Sequence, residues 1–340
     1  MPNKVSRLWA ALLAAAAIAA TSACSTSDGG DELFVYSGRN ENLVRPILEQ
    51  FAEDTGTDIR LKFGDTAELA ATILEEGDRT RADVFFSQDA GALAALASRG
   101  MLAELPDTAL EIVPEKFRDP GGKWVGVTGR VRVIAYNTTK LTAADVPGSV
   151  FELTDPKWRG RVGFPPTNAS FVAWVSALTE EVGRDQAKAW LEGLEANDAK
   201  TFDNNLATLE AVADGEIDVG LVNHYYLYNE FEQRPGSPVA NAYPGQDAGG
   251  EGTFVNVSGL GILQGTKQGA AARKLVEYLL GDDAQEYFRE ETAEYPLRDG
   301  VDPLPDLPAL DSLRTIDVPL SDLGRDLEGS LELLKEVGLT

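Results

Sequence analysis

The sequence predicts an α/β protein of two lobes, each a mainly parallel sheet flanked by helices, joined by two hinge strands. Three observations predict this. Short apolar strands alternate with helical patterns along most of the 340 residues. Two longer strand patterns, near 131–136 and 254–263, interrupt that alternation. The composition, 43% hydrophobic and 25% charged, can bury the core of about two domains.

The elements follow in order. Leu33-Phe34-Val35-Tyr36 is a short strand, and Ser37-Gly38-Arg39-Asn40 a turn. Leu43, Val44, Ile47, Leu48 and Phe51 recur at helical spacing. A strand over 58–63 precedes a helix carrying Leu69, Ala70, Ile73 and Leu74, which Gly77 ends. Asp83-Val84-Phe85-Phe86 is a buried strand, and Leu93 and Leu96 mark a helix closed by Gly100. Such βαβ units imply a parallel sheet with helices on both faces.

A second series begins with the strand Val131-Arg132-Val133-Ile134-Ala135-Tyr136. A strand over 161–164 leads to a helix from Phe171 to Leu178. Ala187, Trp190, Leu191 and Leu194 mark another helix, and Leu206, Leu209 and Val212 a third, capped by Gly215. A strand over 217–222 feeds a helix from about His224. After the strand over 254–263 come helices around 271–280 and 284–288. Leu323, Leu327, Leu331 and Leu334 form one apolar stripe of a final helix. Two α/β lobes joined by two extended crossings enclose a cleft, where ligands meet strand C-termini and helix N-termini.

The N-terminus is a targeting segment. Lys4 and Arg7 precede an apolar run from Leu8 to Ala20, shorter than the roughly 20 residues that span a bilayer. Thr21-Ser22-Ala23-Cys24 follows as a lipobox, with Thr21 in place of the usual Leu. Residues 1–23 are therefore expected to be a signal peptide, Cys24 the lipidated residue and 24–31 a polar tether. The mature chain would sit outside the cytoplasm, anchored to the outer face of the membrane by lipid alone. Cys24 is the sole cysteine, so no disulfide can form within the chain. The net charge of −25 opposes nucleic acid and anionic lipid as partners, since both need a basic surface.

Few residues can carry chemistry. His224 is the one histidine. No nucleophile elbow, Walker A loop or Gly-x-Gly-x-x-Gly follows a strand, and no Cys/His cluster could hold zinc. An enzyme therefore lacks a base and nucleophile set. The distinctive segment is Asn223-His224-Tyr225-Tyr226, directly after a strand. Adjacent helical residues point about 100° apart. Two consecutive tyrosines can reach one point mainly at a first turn, where this pair lies. Phenolate is a hard anionic oxygen donor suited to a hard cation. By composition alone, two adjacent tyrosines are usually ordinary core or surface aromatics.

Several landmarks then accumulate: Phe34-Val35-Tyr36-Ser37-Gly38-Arg39, Arg81-Ala82-Asp83-Val84-Phe85, Gly129-Arg130-Val131-Arg132-Val133, Asp155-Pro156-Lys157-Trp158-Arg159-Gly160, Asp214-Gly215-Glu216-Ile217-Asp218 and Glu294-Tyr295-Pro296-Leu297. In this order they resemble the ferric-ion-binding proteins of bacterial ABC importers, a transferrin-like class of solute receptors, from about Leu33 to Arg298. The resemblance implies the two-lobed periplasmic-binding-protein fold. Lobe 1 would comprise 32–132 and 260–340, and lobe 2 133–259, with hinge strands near 131–136 and 254–260.

The resemblance also implies a monomeric, non-enzymatic receptor that gives iron to an ABC permease. Tyr225 and Tyr226 would bind Fe3+, with carbonate or phosphate as a synergistic anion. Asn168, Ala169 and Ser170 match the anion loop at a helix N-terminus, where free N–H groups favour an anion. Asn205 and Asn223 match its anion-contacting asparagines, though all three asparagines also suit helix capping. Asn40 and Gln88 stand where some members have histidine and glutamate ligands, and neutral amides are weak donors. Arg39 could grip a planar anion bidentately, and Arg130 could do so or form an ion pair. Tyr36 is either an extra ligand or core, and His224 an orienting residue. Rival readings keep the fold with an oxyanion, polyamine or thiamine-like cation as cargo, or make the chain a surface interaction protein.

Overall fold

The computed structural model describes residues 32–231, 236–323 and 327–340. The expected signal peptide, Cys24 and tether lie outside them. The described chain is a mixed α/β body whose strands run in the order β2-β1-β3-β9-β4-β7-β5-β6. Strands β1 (Leu33–Ser37), β2 (Ile59–Phe63) and β3 (Val84–Ser87) pair in parallel. Helices α1 (Glu41–Thr55), α2 (Thr66–Glu76) and α3 (Ala90–Ser98) connect and follow them. Each has its capping signal. Asn40, Asp65 and Asp89 accept first-turn N–H groups, and Gly56 ends α1 in the left-handed region at φ 64°.

The longest element is β4 (Val125–Asn137), buried along its whole length. Its first half, Val125 to Val131, pairs antiparallel with β9 (Val255–Ile262), which continues onto β3. Its second half, Arg132 to Tyr136, pairs antiparallel with β7 (Val219–Asn223), and Ile134 to Asn137 also pair with β8 (Val239–Ala242). One strand thus leaves one sheet and enters the next between Val131 and Arg132. β4 begins well before the expected 131, because Gly126 and Gly129 break the apolar pattern there. Both glycines are needed: a Cβ at Gly126 would lie 2.7 Å from the Phe117 carbonyl oxygen, and one at Gly129 3.2 Å from Tyr295 and Leu297 side-chain atoms.

In the second sheet, β5 (Val162–Phe164) pairs in parallel with β7 and with β6 (Lys200–Thr201). Helices α4 (Ala169–Val182), α5 (Arg184–Ala196) and α6 (Asn205–Ala213) belong to this part of the chain. An aromatic stack consolidates its core. Phe164 lies 4.9 Å from Phe171, Trp174 packs edge-on to Phe171 and Trp190, and the Trp190 indole N–H donates to the Val150 carbonyl at 2.9 Å. After β9 come α7 (Gly269–Leu279), α8 (Asp282–Thr292) and the short β10 (Tyr295–Pro296), which returns to β4.

The final helix, α9 (Leu327–Glu336), packs on α4. Its buried face differs from the expected stripe. Leu333 and Leu334 are buried, whereas Leu331 is 46% exposed. Residues 330, 333 and 334 are buried on one helical face, and 331 falls outside it.

Close packing at β3–β9–β4 sets the spacing of the first sheet. A Cβ on Gly259 would lie 2.7 Å from the Val125 carbonyl oxygen and 2.8 Å from Leu93 Cδ1. Gly259→Ala is therefore expected to cost roughly 1–3 kcal/mol, read by urea unfolding. An unchanged midpoint would mean that this layer parts freely to admit a methyl group.

Candidate functional site

The site grows from the C-terminal end of β7. Asn223, the last residue of that strand, lies opposite Arg132. His224 follows as a turn, Tyr225 and Tyr226 begin a helical turn, and a single π-helical turn runs from Leu227 to Phe231. Such π turns are frequent at functional sites. The two phenol rings stack, with centroids 4.4 Å apart and planes 27° apart. Tyr225 is buried and Tyr226 half-buried. Their hydroxyls face each other closely enough to interact. The first-turn position thus brings consecutive side chains to one point, as its geometry permits.

His224 anchors this turn. It is fully buried, and its backbone N–H donates to the Val131 carbonyl at 2.9 Å. Its Nδ1 accepts from the Val131 N–H at 3.2 Å, which leaves the proton on Nε2 to donate to the Ala293 carbonyl at 2.9 Å. Ala293 presents that carbonyl from a left-handed turn at φ 53°, just after α8. Both ring nitrogens are spent, so His224 orients the tyrosines. Burial, reinforced by the nearby Arg130 cation, holds its imidazole neutral, pushed down to about 3.

Beneath the tyrosines lies Arg132, buried at 2% exposure. Its Nη1 donates to Asn205 Oδ1 at 2.9 Å and to Asn223 Oδ1 at 3.2 Å, and its Nη2 to the Leu221 carbonyl at 2.7 Å. The guanidinium also lies over the rings of Phe171 and Trp174, 5.7 and 5.5 Å from their centroids. Asn205 Nδ2 donates to Asn168 Oδ1 at 3.0 Å, and Asn223 Nδ2 to Ser170 Oγ at 3.3 Å. Asn168, Ser170, Asn205 and Asn223, separated in sequence, thus form one network, with Ala169 beside them at the start of α4.

Within it, Asn168 is the N-cap of α4, accepting from the Ser170 N–H at 3.1 Å. Asn205 is no cap, since Asn204 caps α6. Asn205 instead hydrogen-bonds Tyr226. Burial and the adjacent Tyr225 hold the Tyr226 hydroxyl well above the usual phenol range, while Asn205 and Arg130 oppose that rise. Burial pushes Arg132 down to about 9, still a cation at neutral pH, with Tyr226 and Tyr225 opposing the fall. Arg132 is the residue that reading the sequence missed. The signal was present: a second arginine, two residues after Arg130, within a run of apolar strand residues.

On the other side lie Arg39, Gln88, Arg130 and Glu294. Arg39 is not free to grip an anion through its paired nitrogens. Its Nη1 donates to Gln88 Oε1 at 2.6 Å and its Nη2 to Glu294 Oε2 at 2.5 Å. Both side chains of that ion pair are fully buried. Arg130 is different. It is buried, its Nε lies 3.9 Å from Glu294 Oε1, and neither its Nε nor its Nη1 has a hydrogen-bond partner. Burial and the neighbouring Arg39 lower its affinity for protons, opposed by Glu294, Tyr225 and Asp89. Asn40 spends its oxygen capping α1.

Tyr36 is placed elsewhere: its hydroxyl bonds Glu76, and Lys62 Nζ sits 4.3 Å from its ring centroid. It therefore packs with the edge of the first sheet, because the outward face of β1 turns it toward β2 and α2. Among the described residues, no three His, Cys, Asp or Glu side chains cluster. The hard oxygen donors gathered here are the two phenols and the Glu294 carboxylate, whose Oε2 is held by Arg39.

The bacterial extracellular solute-binding protein family matches residues 80–318. The Fe(3+)-binding periplasmic protein of Serratia marcescens is 30% identical over 345 residues, 100% of both chains. The major ferric iron-binding protein of Neisseria meningitidis is 32% identical over 331 residues, 97% of this chain and 98% of that one. Iron-bound HitA from Pseudomonas aeruginosa superposes with a TM-score of 0.85 at 34% identity, covering 91% of this chain and 99% of that one. The architecture is the two-lobed periplasmic-binding-protein fold that the sequence predicts.

The neutral His224 has a measurable consequence. An unfolded histidine gains its proton near pH 6.5, the folded one only near 3. Between those values the unfolded state binds more protons, so stability falls as pH drops through that window. His224→Gln should flatten the dependence there by up to about 1.4 kcal/mol per pH unit. Urea unfolding across that range reads the slope, and equal slopes in both proteins would refute the assignment.

Proposed function

This chain belongs to the bacterial extracellular solute-binding protein family, and on that premise we propose that it is an extracytoplasmic Fe3+ receptor. Tyr225 and Tyr226 bind the ion as phenolates, a synergistic anion completes the site, and an ABC permease receives the iron. The receptor is not an enzyme. The observation that carries this reading is the stacked tyrosine pair, whose hydroxyls converge at the end of β7 beside buried cations. The relatives named as ferric-binding proteins support the same cargo.

Charge supports the anion. Fe3+ on two phenolates retains one positive charge, and Arg130 and Arg132 add two more. Glu294 is already engaged by Arg39. Buried charge without a partner is expensive, so an oxyanion such as carbonate or phosphate balances the loaded site. Arg130, whose Nε and Nη1 have no hydrogen-bond partner, grips it from the first sheet. Asn205, Asn223, Ser170 and the α4 N-terminus at Asn168 and Ala169 bound it from the second. Arg39 acts behind Arg130 by holding Glu294 and Gln88.

The lobes comprise 32–132 with 260–340, and 133–259. The transfer of β4 between sheets at Val131 and Arg132 supports a hinge near 131–136, with its companion near 254–260. Closure about these crossings shuts water out of the loaded site. The receptor works as a monomer held to the outer membrane face through Cys24, after removal of residues 1–23. Among the described residues no helix is long and apolar enough to cross a membrane.

The deciding experiment is a visible titration of mature protein with ferric citrate, in carbonate and then in phosphate. A tyrosinate-to-iron charge-transfer band should appear in the parent and be lost or greatly weakened in Tyr225→Phe and Tyr226→Phe. An uncoloured parent in both buffers would sink the ferric reading. Because burial favours the protonated phenol at Tyr226, metal must displace protons. Loading should therefore acidify a weakly buffered solution, and iron affinity should fall as pH is lowered. Proton release unchanged in Tyr226→Phe would contradict phenolate ligation.

A further inference from the structure

The donor set around Arg132 holds information that the tyrosines alone do not. Arginine has N–H donors and no acceptor. Any amide that bonds Arg132 must therefore present its oxygen. Asn205 and Asn223 both do, at 2.9 and 3.2 Å from the same nitrogen. Their Nδ2 groups are then forced to point away, one N–H of each reaching Asn168 Oδ1 and Ser170 Oγ. The Asn205 amide also donates to Tyr226, the sense that favours its phenolate form. An asparagine with a free choice could flip and offer its oxygen instead.

Among the described residues, Arg132 bonds amide and carbonyl oxygens rather than a carboxylate, unlike Arg39. Its charge is met by amide and carbonyl oxygens and by the faces of Phe171 and Trp174. A buried cation so arranged is costly for folding alone. Its position under the two phenols offers the compensating use.

We propose that Arg132 is the positioning residue of the site: it locks the amides of Asn205 and Asn223 with N–H groups toward the ligands, and supplies the fixed positive charge that the anion meets. It touches neither iron nor anion and acts through the two asparagines. This rests on the ferric reading above. It adds a specific role for a residue outside the ligand set.

The test is a visible titration of the parent, R132Q, R132K and Y226F with ferric nitrilotriacetate over a series of inorganic phosphate concentrations. Glutamine can offer its own oxygen, so the amides lose their imposed orientation, and the charge is gone. R132Q should need at least about tenfold more phosphate for half-maximal colour, with a shifted charge-transfer maximum. R132K remains a donor-only cation and should stay within about threefold of the parent. A purely structural role would lower unfolding midpoints without moving the band or the phosphate dependence.

If R132Q does not fold, N205D replaces it: it keeps an oxygen for Arg132 but has no N–H for Tyr226, and should show the same shifted band. A coloured parent with R132Q, or its N205D substitute, matching it in band and phosphate dependence overturns the role of Arg132. R132K failing as fully as R132Q also overturns it. A colourless parent instead overturns the ferric reading on which it rests, and colour retained in Y226F would point to the same fault.

Discussion

Burying arginine is the constraint around which this site is organised. Three of them, Arg39, Arg130 and Arg132, lie under the tyrosine pair or beside it, all about 2% exposed. A guanidinium taken out of water must find acceptors or counter-charge. Arg39 finds Gln88 and Glu294. Arg132 finds two asparagine oxygens and a strand carbonyl. Arg130 keeps Nε and Nη1 unpartnered, its Nε 3.9 Å from the one free oxygen of Glu294. Phenolates and an anion are the groups that would complete this account.

The fold delivers that arrangement through β4. Arg130 and Arg132 are spaced by two, so an extended strand turns both to one side. The strand changes sheets between them, which puts Arg130 among residues of the first sheet and Arg132 among those of the second. His224 then ties the tyrosine turn to Val131, between the two arginines, and to Ala293, one residue before Glu294. The tyrosine turn, the crossing strand and the end of α8 are thereby mechanically joined. Any movement about the crossing must act on the tyrosines and on Glu294 together.

The two halves of the site are unequal in preparation. On the second sheet, Asn168, Ser170, Asn205 and Asn223 form a connected network before any ligand arrives. Fully connected polar networks of this kind hold side chains in fixed geometry. On the first, donors that might have ligated a metal are committed to other work: Asn40 caps α1, and Gln88 and Glu294 hold Arg39. Under the proposed ferric reading, that asymmetry favours capture by the second lobe, with the first contributing chiefly charge and closure.

Much of the fold was legible because strand and helix periodicities in the core depend on local burial. The strands near 33–36, 83–86 and 131–136 and the helix end at Gly77 follow from side-chain pattern and backbone preference. The full extent of β4 was hidden by glycines whose purpose is close contact with distant chain, and the buried face of α9 by a leucine spacing that α4 does not use. The tyrosine pair was visible as a motif, since consecutive aromatics after a strand are a local feature. The sequence by itself determined most of the elements, the turn carrying Tyr225 and Tyr226, and the shortage of histidine and cysteine ligands. Tertiary structure decided which polar residues meet: it removed Tyr36 to Glu76, spent Arg39 on Glu294, left Arg130 open and set Arg132 beneath the phenols. Hydrogen-bond partners far apart in the chain, 255 residues in the case of Arg39 and Glu294, settle those roles, and such pairings leave no period in the sequence.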